Sequence, residues 1–165
     1  MSPAYLAATA AAVLLASLAH PASTPVMAWN ASASAPLGLY LVRKPVDLRR
    51  GDFVLASLPP AATPMAARRG YLPQGVPVLK RIAALAGDDV CSRGNAIWID
   101  GSAVATRLAA DKEGRPLPSW SGCLRLNRTK VLLMMAMVPD SFDGRYFGPI
   151  QRSAIIGKAT PLWTW

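Results

Sequence analysis

The chain has a single histidine, His20, and that scarcity excludes more than any motif search. A Ser-His-Asp triad needs an imidazole beside its nucleophile, and this one lies next to an apolar leader. A serine nucleophile here must use a different base. Cysteine is equally sparse. Cys91 and Cys123 are the only two, with no CxxC spacing and no histidine partner, so a zinc site has nothing to build on. There is no cluster of metal ligands and no glycine-rich loop of the phosphate-cradling kind, so no cofactor is expected. Charged residues make up only 16% of the chain, yet the formal net charge is +9. The cations come as scattered pairs (Arg43-Lys44, Arg49-Arg50, Arg68-Arg69, Lys80-Arg81). Without a basic run or interleaved aromatics, nucleic acid is not expected as a partner. Attraction to anionic membrane lipid accounts for the same charge.

Long uncharged runs are also few. The one at residues 4–19 (AYLAATAAAVLLASLA) would span about 24 Å as a helix, against roughly 30 Å for a bilayer core. It reads as an N-terminal transmembrane helix within an anchor segment, residues 1–19. A cleavable signal peptide competes with that reading, because Ser17-Leu18-Ala19 supplies small residues suited to a cleavage site. Residues 20–33, rich in Pro, Ser and Ala, read as a linker reaching at most about 46 to 50 Å when extended. Residues 34–165 then form one domain. No Lys or Arg precedes Arg43, so the positive-inside rule has no local charge to count. Whole domains translocate largely regardless of charge, and the cysteines lean toward an oxidising compartment. The domain is therefore expected on the outer, periplasmic face of the cytoplasmic membrane, behind a single pass.

What the chain does contain is punctuation: fifteen prolines and twelve glycines with few long helical patterns. The fold class expected is mainly β, built of short strands and turns. Strands are read at 39–42, at 53–55 after a Gly51-Asp52 turn, and at 78–85. A hairpin at 96–99 and 103–105 turns on Asp100-Gly101. A continuous apolar run at 130–138 (KVLLMMAMV) reads as a buried strand, and a last strand falls near 154–159. Residues 58–76 and 106–122 read as surface excursions, the first with a short helix around 64–69, and Pro139 to Gly148 as turns. Both a disulfide and two buried free thiols fit Cys91 and Cys123. A bond closing that loop would contribute roughly 3 to 4 kcal/mol.

Two stretches carry candidate chemistry. In Asn30 to Tyr40 (NASASAPLGLY), Pro36 and Gly38 form a turn into a strand, which presents Ser34 on a rigid edge as a potential nucleophile. An ordinary Ser/Ala linker is the competing reading. In Val78 to Leu85 (VLKRIAAL), Lys80 stands inside an apolar strand. A lysine is protonated at neutral pH, and to act as a base its pKa must fall by about 3 units, roughly 4 kcal/mol against the ammonium. Alternation puts Lys80 on the face opposite Leu79 and Arg81. If that face is buried beside Ser34, desolvation leaves an amine able to take the hydroxyl proton. An exposed lysine on an edge strand is the alternative.

These residues together resemble bacterial signal peptidase I. Ser34-Ala35-Pro36-Leu37-Gly38-Leu39-Tyr40, Gly51-Asp52-Phe53-Val54, Lys80-Arg81-Ile82 with Gly87-Asp88-Asp89-Val90, and Asp143-Gly144-Arg145-Tyr146-Phe147-Gly148 occur in the order of that family's boxes. The single residue between Ser34 and Pro36 is similar to the conjugative-transfer, TraF-type branch, where ordinary members have two. Two departures stand away from the proposed chemistry: Ala86 where many members have proline, and Pro139-Asp140 in place of a Gly-Asp-Asn start. The resemblance implies a signal-peptidase-like antiparallel β fold and a Ser/Lys peptidase, anchored in the membrane, cutting exported precursor proteins or pilin precursors after small residues. It implies Ser34 as nucleophile and Lys80 as general base. Ser32 would complete the oxyanion hole, and Asp143 with Arg145 would form a supporting acid–base pair. A noncatalytic, membrane-tethered β module of a secretion or conjugation apparatus is the alternative function. A self-cleaving repressor of the same chemistry would need a helix-turn-helix where the apolar leader stands.

Overall fold

The structure is a computed structural model and describes residues 27–165. The apolar leader and residues 20–26 of the expected linker, His20 among them, lie outside the described residues. Among the described residues no helix is long and apolar enough to cross a membrane.

Among the described residues, eleven strands form two antiparallel sheets. The larger sheet contains β1 (Met27–Asn30), β2 (Gly38–Arg43), β3 (Phe53–Ala56), β4 (Val78–Ala84), β9 (Lys130–Leu133), β10 (Ile150–Gln151) and β11 (Ile155–Thr164), in the spatial order β1-β2-β11-β3-β4-β9-β10. The smaller sheet contains β5 (Asp89–Arg93), β6 (Ala96–Ile99), β7 (Ser102–Thr106) and β8 (Gly122–Arg125), in the order β7-β6-β5-β8. Two short helices, α1 (Thr63–Arg68) and α2 (Gly144–Phe147), lie in connections. The mainly β, antiparallel class expected from the sequence is what the chain adopts.

Period-2 patterning explains the centre of the large sheet. In β3 all four residues are buried because both faces are covered. Phe53 and Leu55 enter one cluster with Tyr40, Val42 and Leu79, while Val54 and Ala56 enter another with Ile82, Val131 and Leu133. Strand β4 lies between β3 and β9, so Lys80 is on an interior strand and not on an edge. Its cross-strand partner is Val54, and Ile82 follows on the same face. Arg81 points the other way and lays its guanidinium over the Phe53 ring, 3.8 Å from the centroid. A third cluster, Ala84, Val90, Ile97, Ile99, Leu126, Leu132 and Met134, joins the two sheets.

Several expectations need correction. Residues 27–30 are not linker but strand β1, paired with β2 from Met27↔Leu41 to Asn30↔Gly38; the folded unit therefore begins by Met27, before the expected boundary at 34. The apolar run 130–138 leaves the sheet after Leu133. There the Met134 amide bonds to the Arg81 carbonyl (2.9 Å) and the Met135 amide to the Asp143 carboxylate (2.9 Å), and Met137 is 93% exposed. The last strand runs to Thr164, well beyond 159. Strands β5, β8 and β10 arise where no strand was read, and helix α2 arises within the expected turns. Cys91 and Cys123 face each other across β5 and β8 and are joined by a disulfide.

Candidate active site

Strands β1 and β2 form a hairpin, and residues 31–37 are its loop. Asn30 and Gly38 are the closing pair. Gly38 cannot be replaced freely: its φ is +131°, and a Cβ there would lie 2.1 Å from the Trp163 carbonyl oxygen. The loop carries Ser32, which is exposed, and Ser34, which is half-buried. Their hydroxyls are 2.8 Å apart, and the Ser34 amide donates to Ser32 Oγ at 3.3 Å.

Lys80 reaches this loop from the sheet interior. The residue is 4% exposed, and its Nζ lies 2.8 Å from Ser34 Oγ. Burial pushes the lysine down to about 8; the nearby Asp143 carboxylate works against that shift and the Arg145 guanidinium adds to it. The cause is desolvation: in an apolar pocket the ammonium loses hydration that the amine hardly needs. At neutral pH an appreciable fraction of such a lysine carries a lone pair.

A second hydroxyl holds the amine. Ser141, 2% exposed, accepts a hydrogen bond from Lys80 Nζ at 2.9 Å. Sequence reasoning missed Ser141, placing it within turns. Its signal is faint, a lone serine two residues ahead of Asp143, and only the tertiary approach to Lys80 reveals it.

Asp143 and Arg145 bond to neither the Ser34 hydroxyl nor the Lys80 amine. Both are fully buried and form a bidentate pair, with Arg145 Nε to Oδ1 at 2.9 Å and Nη2 to Oδ2 at 3.1 Å. The carboxylate also caps α2, accepting from the Arg145 amide, and accepts from the Met135 amide. The guanidinium donates to the carbonyls of Met135 (2.7 Å) and Pro139 (2.9 Å). The pair thus clamps residues 135–139 onto α2, and Ser141 is held between the two. A buried ion pair of this sort is tolerable only when its remaining donors and acceptors are satisfied, which is the case here. Gly144 lets the helix approach β9 this closely: a Cβ would lie 2.6 Å from the Leu133 carbonyl oxygen. The loop between β7 and β8 braces the same helix through Trp120, whose Nε1 donates to the Gly144 carbonyl at 3.1 Å.

A cleft of about 680 Å³ opens beside Ser34 and Lys80, with apolar walls that include Leu58, Leu72, Val76, Val78 and Phe142. Among the described residues no group of three or more His, Cys, Asp or Glu side chains is arranged to hold a metal. The two expected excursions meet to form one wall, since Arg69 and Tyr71 both bond to Asp111.

A family model described as signal peptidase, peptidase S26, matches residues 2–165. The chain belongs to this family. Within it, the chain is 35% identical to a plasmid transfer protein TraF of Escherichia coli, covering 94% of this chain and 91% of that protein. It is 36% identical to a conjugal transfer protein TraF of Agrobacterium fabrum, over 82% and 81% of the two chains. The TraF-type resemblance read from the residue boxes therefore holds across most of the sequence. A crystal structure of a signal peptidase I from Enterococcus faecalis matches with 20% identity and a TM-score of 0.40, covering 72% of this chain and 99% of that one.

Proposed function

We propose that this member of the S26 family is a membrane-anchored serine endopeptidase that cuts exported precursor proteins, with Ser34 as nucleophile and Lys80 as general base. The observation that carries this reading is the buried amine 2.8 Å from the serine hydroxyl. A neutral Lys80 can donate one N–H to Ser141 while its lone pair faces the Ser34 hydroxyl. As Ser34 Oγ attacks the substrate carbonyl carbon, its proton passes to Lys80. The Ser34 N–H and the Ser32 hydroxyl turn to the developing oxyanion, where loss of a single donor typically costs about 10²-fold or more. Collapse of the tetrahedral species expels the leaving amine, which takes the proton from Lys80. Lys80, neutral again, then deprotonates water, or an incoming amine, as it attacks the acyl carbon, and returns that proton to Ser34 Oγ as the acyl group is released. Asp143 and Arg145 serve as positioning residues that act through Ser141.

The relatives' names, plasmid and conjugal transfer protein, favour a substrate of the conjugation apparatus such as a pilin-type precursor. We place the domain on the outer face of the cytoplasmic membrane. The disulfide suits an oxidising compartment. Exposed Met27, Trp29, Leu162, Trp163 and Trp165 gather at the edge where the described chain begins, and Trp29 and Trp165 are in ring contact; such amphipathic rings favour a membrane interface. The test is processing of a candidate precursor in cells. Ser34→Ala is expected to leave it uncut while the protein accumulates normally, and Ser32→Ala to slow cutting. Undiminished processing by Ser34→Ala would leave only a tethered β module.

A further inference from the structure

The side chain of Asn30 fills the inside of the loop that carries both serines. Its Nδ2 lies 2.9 Å from the Ser32 carbonyl oxygen, 3.0 Å from that of Ala35 and 3.0 Å from that of Pro36, and its Oδ1 accepts from the Ser32 amide at 3.2 Å. A carboxamide has two N–H donors and one acceptor oxygen, so two donors are shared among three carbonyls and the whole group is engaged. The loop has little else to fix it. Between Asn30 and Gly38 there is no strand ladder; besides the Ser32–Ser34 bonds and the Lys80 amine on Ser34 Oγ, the remaining ties are an Ala35 amide to Ser32 carbonyl bond at 3.3 Å, the Tyr40 hydroxyl to the Pro36 carbonyl at 2.8 Å, and the Trp165 amide to the Leu37 carbonyl at 3.1 Å. The Ser34 amide must also stay free enough to meet a substrate.

We infer that Asn30 is a positioning residue for the reaction: its carboxamide replaces the missing ladder, fixing the carbonyls on either side of Ser34 so that the serine hydroxyl faces Lys80 and the Ser34 N–H faces the cleft. The kinetic half of this inference rests on Ser34 being the nucleophile; the structural half does not. Asn30 makes no hydrogen bond to Lys80, and although it borders the cleft its carboxamide is fully engaged by the loop, so it acts on turnover and not on substrate affinity.

Asn30→Asp is nearly isosteric and keeps Oδ1 for the Ser32 amide, while replacing both N–H donors with an acceptor facing three carbonyls. Asn30→Ala removes the group without adding charge. Two readouts are taken on the full chain, amide hydrogen exchange and steady-state cleavage of a precursor peptide with a small residue before the scissile bond. Both variants are expected to speed exchange at the Ser34 and Ala35 amides by about tenfold or more, with Tyr40 and Val42 in β2 unchanged. Turnover, kcat, is expected to fall by about tenfold or more, toward the 10²-fold that a misplacement of about 1 Å typically costs, with KM within about threefold. Wild-type exchange and kcat in both variants would overturn the inference. So would exchange accelerated equally in β2, which would make Asn30 a prop of the fold, or a loss confined to KM, which would make it a substrate contact. Cleavage by a parallel Ser34→Ala protein would remove the nucleophile reading, while the exchange result would still decide the role of Asn30 in the loop.

Discussion

Lys80 lies in the middle of a seven-stranded sheet with a strand on each side, whereas Ser34 lies on the loop 31–37, outside any ladder. The first is held by the ladder of its strand, with Val54 as cross-strand partner, the second by side-chain and turn hydrogen bonds. The difference suits the roles proposed for the two groups. An amine meant to lose its proton needs a dry, rigid surrounding, and an interior strand supplies one. A hydroxyl meant to meet a polypeptide needs exposure, which rules out burial in a core. The loop therefore brings the half-buried hydroxyl proposed as nucleophile to the buried amine proposed as its base, and Ser141 bonds to that amine as well.

That contrast can be broken most severely at the buried end. Lys80→Met should lower peptide cleavage by about 10³-fold or more, while urea unfolding shows equal or greater stability, because an apolar chain of similar length replaces a desolvated cation. Loss of stability with activity intact would reverse the assignment. Next in size is the ion pair behind Ser141. Arg145→Met leaves the Asp143 carboxylate buried and unpaired, and should cost about 3 to 5 kcal/mol in denaturant titration; a cost near zero would mean the clamp on residues 135–139 is held by other contacts. The smaller sheet offers the control. Replacing Cys91 and Cys123 by Ala should cost about 3 kcal/mol of stability, yet leave kcat per folded molecule unchanged, since neither sulfur lies near Lys80 or Ser34. The smallest effect is expected at Ser141. Ser141→Ala removes an acceptor that favours the ammonium, so the lysine should titrate at lower pH, and kcat on the plateau should fall by about tenfold as the amine loses its fixed orientation. An unchanged pH profile would detach Ser141 from the base.

How much of this was legible in the sequence depends on whether a residue's neighbours were close in the chain. The hairpin at Asp100-Gly101 was readable because both residues take positive φ, 49° and 78°, as that turn type demands. The strand around Lys80 was readable because its apolar flanks are contiguous. Strand β1 was hidden: its residues alternate between exposed and half-buried, so MAWN carries no core pattern, and only its pairing with β2 makes it a strand. Strand β8 was hidden for a stronger reason, since all four residues are exposed and pairing with β5 across the Cys91–Cys123 bond defines it. In KVLLMMAMV the apolar run gave no end point, because the chain leaves the sheet where the Asp143 carboxylate takes the Met135 amide. Asp143, Arg145 and Ser32 were accessible through the family resemblance, not through periodicity. Ser141 was accessible through neither.

The proposed catalysis depends most on the protonation state of one amine. The direct measurement is titration of Lys80 in the intact protein by NMR, paired with the pH dependence of cleavage. Below its pKa the lysine holds its proton and accepts none, so activity should rise with pH and level off above about 8, the value to which burial pushes Lys80. The Lys80 resonance should titrate in the same range and be absent in Lys80→Met. A lysine that stays protonated up to its ordinary value near 10.4, or cleavage that survives in Lys80→Met, would contradict the account.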